Sequence, residues 1–145
     1  GFMPGQFMTS SVVAENRTLC LPASVQSIPS TADFQDVVSF GLIAGRKARK
    51  VIRNTNYVLA FELMCGAQAA DIRGAHRLGP ASRALYEATR ETVPYLDYDT
   101  VIIDYLEEIA RRLRQGEFLE RVEQVVGPLM MNDTSGGSEE LAKAA

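Results

Sequence analysis

The sequence predicts an all-α fold, and three observations carry that prediction. No proline interrupts the chain between Pro29 and Pro80. Apolar residues recur at helical spacing, with little of the strict alternation that marks strands. Only Gly41, Gly45 and Gly66 weaken the run from Gln35 to Arg73, and an isolated glycine costs a helix ~1 kcal/mol. Residues 35–73 are therefore expected to form one long helix. At ~1.5 Å per residue it would measure roughly 57 Å, against a diameter near ~38 Å for a compact chain of this size. Either the helix breaks at Asn54-Thr55-Asn56, or the chain is one piece of a larger helical assembly.

The remaining elements follow from the same signals. Gln6 to Cys20 carries Phe7, Met8, Val12, Val13, Ala14 and Leu19 at helical spacing. Residues 21–34 are rich in Pro, Ser and Thr, with Pro22 and Pro29 dividing them, and read as an irregular loop of functional length. Within the long helix, Arg46, Lys47, Arg49, Lys50 and Arg53 make the first half basic. Tyr57 to Ala70 is apolar almost all round, which implies burial by neighbours on every side. Gly74 to Gly79 breaks the chain, and Pro80 suits the first turn of a helix through Ala84, Leu85, Tyr86 and Ala88. Thr100 is positioned to cap a helix through Ile102 to Leu113 that ends at Gly116. A short helix over Phe118 to Val126 follows, and residues 132–145 read as a flexible tail.

Composition narrows function. With 145 residues, 46% hydrophobic and 23% charged, the chain suffices for one sizeable core. A net charge of −3 gives no general electrostatic reason to bind nucleic acid or an anionic membrane. The basic run lacks the interleaved aromatics that stack bases, so carboxylates on other helices are its expected partners. Cys20 and Cys65 sit among apolar residues and read as free, buried thiols of a reducing compartment. No apolar run is long enough to span a membrane and no signal peptide is visible, so a cytoplasmic location is expected. Gly1, in place of Met, stands within an apolar pattern, which suggests a fragment or a processed piece.

Few residues offer chemistry. His76 is the only histidine, and no metal-ligand spacing surrounds it. No phosphate loop or nucleophile elbow is present. There remain Phe7 on the first helix and Phe34-Gln35 after the loop. Gln35 has two donors and an acceptor that could orient a polar ligand group; equally, it could cap the long helix while both phenylalanines join the core.

Four motifs in order bear on that choice: Gly5-Gln6-Phe7-Met8-Thr9, Pro22-Ala23-Ser24-Val25-Gln26-Ser27-Ile28, Phe34-Gln35-Asp36-Val37-Val38-Ser39-Phe40-Gly41 and Gln68-Ala69-Ala70-Asp71-Ile72-Arg73-Gly74. Together they closely resemble the C-terminal part of the aromatic amino acid ammonia-lyases and aminomutases, over Gly1 to about Glu108. The resemblance implies a mostly helical lyase fold whose long helices form a central bundle, with residues 1–131 as its C-terminal segment. It also implies a homotetramer whose active sites draw on several subunits. The cofactor implied is the protein-derived methylidene-imidazolone (MIO) electrophile, with no metal. In such enzymes the electrophile, the catalytic tyrosine and the carboxylate-binding arginine lie upstream, so no catalytic residue is expected in this chain. Thr134-Ser135-Gly136 matches a cyclising tripeptide but lacks the glycine-rich, apolar context that the chemistry requires.

Carried over position by position, Met3, Phe7, Phe34 and Gln35 fall on substrate-pocket positions. Histidine lyases carry glutamate where this chain has Gln35, and most plant phenylalanine and tyrosine lyases carry asparagine at Phe34. The Phe34-Gln35 pair therefore resembles the bacterial phenylalanine aminomutase and ammonia-lyase group. The function implied is MIO-dependent elimination of ammonia from L-phenylalanine to cinnamate, with re-addition giving β-phenylalanine in a mutase. It requires an N-terminal part of the same enzyme. A tyrosine lyase or aminomutase is one alternative; a non-catalytic helical interaction module derived from the family is another.

Overall fold

The computed structural model describes residues 2–32 and 34–129. Among them five α-helices follow one another: α1, Met3–Leu19; α2, Gly41–Arg73; α3, Pro80–Arg90; α4, Ile103–Gln115; and α5, Glu117–Val126. Short 3-10 turns occupy Ala23–Gln26 and Ala75–Arg77. Helix α1 starts earlier than the apolar spacing suggests, because Pro4 falls in the first turn, where a missing N–H costs nothing. No helix is long and apolar enough to cross a membrane among the described residues.

Helix α2 begins at Gly41, six positions after Gln35. Residues before it are held away from helical geometry by local bonds. Ser30 N–H donates to Gln35 O at 3.0 Å and Gln35 N–H to Ser30 O at 3.3 Å, forming an isolated antiparallel bridge. The Val38 N–H donates to Ser27 Oγ at 2.7 Å, and Phe40 turns the chain into α2 with a left-handed φ of 51°. Gln35 is thus a loop residue and does not cap the helix.

Once begun, α2 is continuous through Asn54-Thr55-Asn56. Thr55 Oγ1 and Asn56 Nδ2 return to the carbonyls of Val51 and Ile52 one turn back. Asn54 is buried and donates to Glu15 Oε2 at 2.8 Å and Asn16 Oδ1 at 2.9 Å. Its polarity is spent on α1, so these weak helix formers tie two helices together. The pairs Gly5 with Phe61, Glu15 with Asn54 and Leu21 with Lys47 run in opposite order along the two helices, so α1 and α2 are antiparallel.

The core sits on the C-terminal half of α2. Ala60, Phe61 and Met64 pack with Ala88, Val93, Leu106, Ile109, Ala110 and Phe118. Each large side chain so buried contributes roughly 1.5–3 kcal/mol. The Phe2 ring meets Phe61 edge to face, with centroids 5.8 Å apart. Gly5 makes this approach possible: a Cβ there would stand 2.1 Å from Phe61 Cε2. The apolar stretch Tyr57 to Ala70 is buried along one stripe only, at Ala60, Phe61, Met64, Ala67 and Gln68, while Leu59 and Gly66 are exposed. The described residues do not cover the opposite face.

At the other end, the chain turns from α4 to α5 at Gly116, whose φ of 81° is the left-handed conformation glycine adopts without steric cost. Thr100 does not cap α4; Ile102 stands at that position, with no side-chain cap. Arg112 of α4 holds the corner. It is buried and donates to Ala88 O, Thr92 Oγ1 and Glu117 Oε2 at 2.8 Å each, and to Glu91 Oε2 at 2.9 Å. Its guanidinium also lies 5.2 Å from the Phe118 ring centroid. Both cysteines are free, as expected, but Cys20 is exposed and Cys65 only half-buried.

Gly5→Ala should destabilise the chain by about 1–3 kcal/mol, since Phe61 must leave its site; a lowered thermal midpoint would register this. A second expectation concerns acid. Burial raises the Glu91 carboxyl, but the hydrogen bonds from Arg112 and Arg121 outweigh it and hold the group below its ordinary value. Its contribution is therefore present above about pH 4.3 and lost as pH falls through the lower folded value. Midpoints measured across this range should fall less steeply for Glu91→Gln than for the parent.

Candidate functional site

The four residues that the motif resemblance assigns to a substrate pocket lie on two elements. Met3 and Phe7 are one turn apart on α1 and so share a face. Phe34 and Gln35 close the loop before α2. All four point away from the chain's own core: Met3 and Phe7 are each 78% exposed and Phe34 85%, and Gln35 is exposed as well. The expectation that both phenylalanines could simply be core residues is therefore overturned. No ring contact joins Phe7 to Phe34 among the described residues, so the two phenylalanines stand on separate exposed surfaces.

Several backbone bonds and two left-handed residues shape the Phe34-Gln35 loop. Thr31 and Ala32 both take left-handed φ values, 56° and 52°, which non-glycine residues adopt at a cost of order 1–3 kcal/mol. Phe34 N–H returns to Thr31 O at 3.1 Å, and the Ser30–Gln35 bridge closes the turn. The Ser27 hydroxyl ties Val38, three residues after Gln35, to the preceding arm of the loop. Ser27 and Ser30 thus fasten the loop on which Phe34 and Gln35 sit. The density of Ser and Thr in residues 21–34 was a visible signal of such bonds, but not of which backbone group each would take.

The fourth motif has a different role. Gln68 is buried and pairs with the backbone of Leu96, Nε2 donating to Leu96 O at 2.8 Å and Oε1 accepting from Leu96 N–H at 3.2 Å. Asp71 accepts from Tyr86 Oη at 2.5 Å and pairs with Arg90. Arg90 in turn donates to the carbonyls of Val93 and Pro94 at 3.0 and 2.8 Å. That hydrogen bond to Asp71, with burial, raises the Tyr86 phenol above its ordinary value. These residues fasten the loop after α3 to α2, and none of them faces the Phe34 loop through a described contact.

The basic run is only partly neutralised within the chain. Lys50 pairs with Glu15 and Lys47 donates to the Leu21 carbonyl. Arg46, Arg49 and Arg53 have no ion pair among the described residues, and with Tyr57 and Arg114 they line an open cleft of about 720 Å³. An apolar cleft of about 400 Å³ lies between α2, α3 and α5, lined by residues including Leu63, Ala67, Leu85 and Phe118. His76 lies in the turn after α2, and among the described residues no group of His, Cys, Asp and Glu is arranged to hold a metal ion. Thr134-Ser135-Gly136 and the tail 132–145 lie outside the described residues.

Comparison with known proteins places this geometry. Residues 1–91 match the family model described as aromatic amino acid lyase. The chain is 49% identical over 123 residues to a tyrosine ammonia-lyase from Cupriavidus metallidurans, covering 84% of this chain and 23% of that protein. It is 49% identical over 129 residues to a histidine ammonia-lyase from Symbiobacterium thermophilum, covering 89% of this chain and 25% of the relative. Among solved structures, the phenylalanine aminomutase of Pantoea agglomerans superposes with a TM-score of 0.75 at 53% identity, over 78% of this chain and 22% of that one. The chain thus spans about a quarter of the length of the relatives it matches.

Because Phe7 and Phe34 contribute nothing to the core, Phe7→Ala and Phe34→Ser should each leave the unfolding free energy of this chain within about 0.5 kcal/mol of the parent. Denaturant titration checks this directly.

Proposed function

Because this chain belongs to the aromatic amino acid lyase family, we propose that it is the C-terminal portion of a phenylalanine ammonia-lyase or phenylalanine 2,3-aminomutase. The observation that carries this reading is the exposure of Met3, Phe7 and Phe34 at positions where the family lines its substrate pocket. Large apolar side chains left in water on two separate elements are completed by a neighbouring part of the enzyme and by the substrate.

In this reading Phe7 and Phe34 form the apolar wall against a phenyl ring, an arrangement worth ~0.5–1.5 kcal/mol beyond area burial. A phenol hydroxyl against that wall would lack a partner, which favours phenylalanine over tyrosine by a few kcal/mol. Gln35 orients the amino or carboxylate end of the substrate through its amide. The MIO electrophile supplies the elimination chemistry when present. Thr134-Ser135-Gly136 is the chain's one Ala-Ser-Gly or Thr-Ser-Gly tripeptide and lacks the glycine-rich, apolar context the cyclisation needs; the electrophile is assigned to the N-terminal part of the enzyme, as the family resemblance implies. That part, in a homotetramer bundled along α2, also supplies carboxylates for Arg46, Arg49 and Arg53. A cytoplasmic enzyme fits the free, accessible thiols.

A tyrosine-specific enzyme is the second reading, favoured by the 49% identity to a tyrosine ammonia-lyase. Product analysis separates the two. The full-length enzyme given L-phenylalanine should release cinnamate or form β-phenylalanine, with kcat/KM for phenylalanine exceeding that for tyrosine. Phe34→Asn should shrink that preference by about 10-fold or more, the scale of a mismatched pocket contact. Gln35→Glu should lower kcat/KM for phenylalanine. A preference for tyrosine in the parent would replace the first reading with the second, and inactivity on both would favour a non-catalytic interaction module.

A further inference from the structure

We propose that Ser27 is a positioning residue for the substrate contacts: its hydroxyl, with the Ser30–Gln35 bridge, clamps the strained Thr31-Ala32 turn so that Phe34 and Gln35 are presented as one rigid finger. This rests on the reading of Phe34 and Gln35 as substrate contacts.

Two independent features of the loop converge on it. The first is the pair of ties. Ser27 Oγ accepts the Val38 N–H at 2.7 Å across eleven residues, and Ser30 and Gln35 exchange both backbone bonds at 3.0 and 3.3 Å. One ties Gln35 at its own backbone and the other ties the chain three residues on. The second feature is where strain is placed. Thr31, Ala32 and Phe40 are the non-glycine residues with positive φ among the described residues, at 56°, 52° and 51°, and they flank the Phe34–Gln35 segment at both ends. Such conformations persist only where surrounding bonds over-determine them. Here the surrounding bonds are those of Ser27 and Ser30, together with the Phe34 N–H to Thr31 O bond, because packing within this chain does not hold Phe34, which is 85% exposed. Within this chain these ties set the geometry of the pair, and small displacements of groups that face a substrate reduce rate more than binding.

The test uses the full-length enzyme with Ser27→Ala, Ser27→Thr, Ala32→Gly and Gln35→Glu. Loss of the Ser27 hydroxyl leaves the Val38 N–H without its acceptor, and kcat/KM for L-phenylalanine per folded enzyme should fall about 10-fold. The phenylalanine-to-tyrosine preference should narrow with it, a change that a merely structural role would not produce. Ser27→Thr, which keeps the hydroxyl, should restore both. Ala32→Gly removes left-handed strain that these ties oppose; alone it should stay near parent kinetics, and added to Ser27→Ala it should recover part of the lost preference, which keeps the proposal open to test even where Ser27→Ala folds poorly. Parent-like kinetics in Ser27→Ala alongside altered kinetics in Gln35→Glu would overturn the clamp and leave the pocket reading standing. Parent-like kinetics in all four variants would overturn both.

Discussion

The length of α2 constrains everything else in this chain. Its 33 residues extend roughly 50 Å, and the chain has core for only the second half of it. Buried positions on α2 start at Asn54 and end at Gln68. Before Asn54, Leu42 and Ile52 are exposed at 81% and 64%, and three arginines stand without ion pairs among the described residues. A helix forms cooperatively, so the packed half can carry the sparsely packed first half, which is tied to α1 and to Leu21 through Lys50 and Lys47. That first half carries the Phe34 loop at its N-terminal end, away from the core that stabilises it.

Polar bonds divide the work with apolar packing. The core residues decide that α3, α4 and α5 gather on α2, since apolar burial is strong but not directional. The register is set by a few forked or paired groups: Arg112 between α3, α4 and α5, Arg90 and Gln68 between α2 and the Val93–Leu96 loop, and Asn54 between α2 and α1. Each buried donor in such a set costs much if left unmade, so the alternatives to this arrangement are few. Gly5 adds a steric condition of the same kind, admitting Phe61 where any Cβ would stop it.

The helices themselves were legible. Apolar periodicity located all five, and Pro80, Gly116 and the Gly74–Gly79 break marked their ends, because proline and glycine act on the backbone locally. The six-residue error at the start of α2 has a clear cause. Nothing in Gln35 to Phe40 opposes a helix by propensity, and it is the bond from Val38 to Ser27 and the bridge to Ser30 that win over it. Thr100 does not cap for a related reason: a capping side chain announces competence, and α4 starts at Ile103, three residues past it, with Ile102 at the cap position. The burial of Tyr57 to Ala70 was overstated because an apolar composition says that partners are needed without saying which chain supplies them.

For the candidate site, the sequence by itself determined the chemistry of the contacts: two phenyl rings, a thioether and an uncharged amide, in an order that resembles an aromatic amino acid lyase. Residue identity is a local property, and so is motif order. Only the tertiary structure decided that these groups face outward, that Phe34 and Gln35 sit on a bridged and strained turn in place of a helix, and that Gln68 and Asp71, equally prominent in the motifs, serve to hold α2 against the loop after α3. Those outcomes depend on contacts between residues five to twenty-eight positions apart, which residue identity alone does not encode.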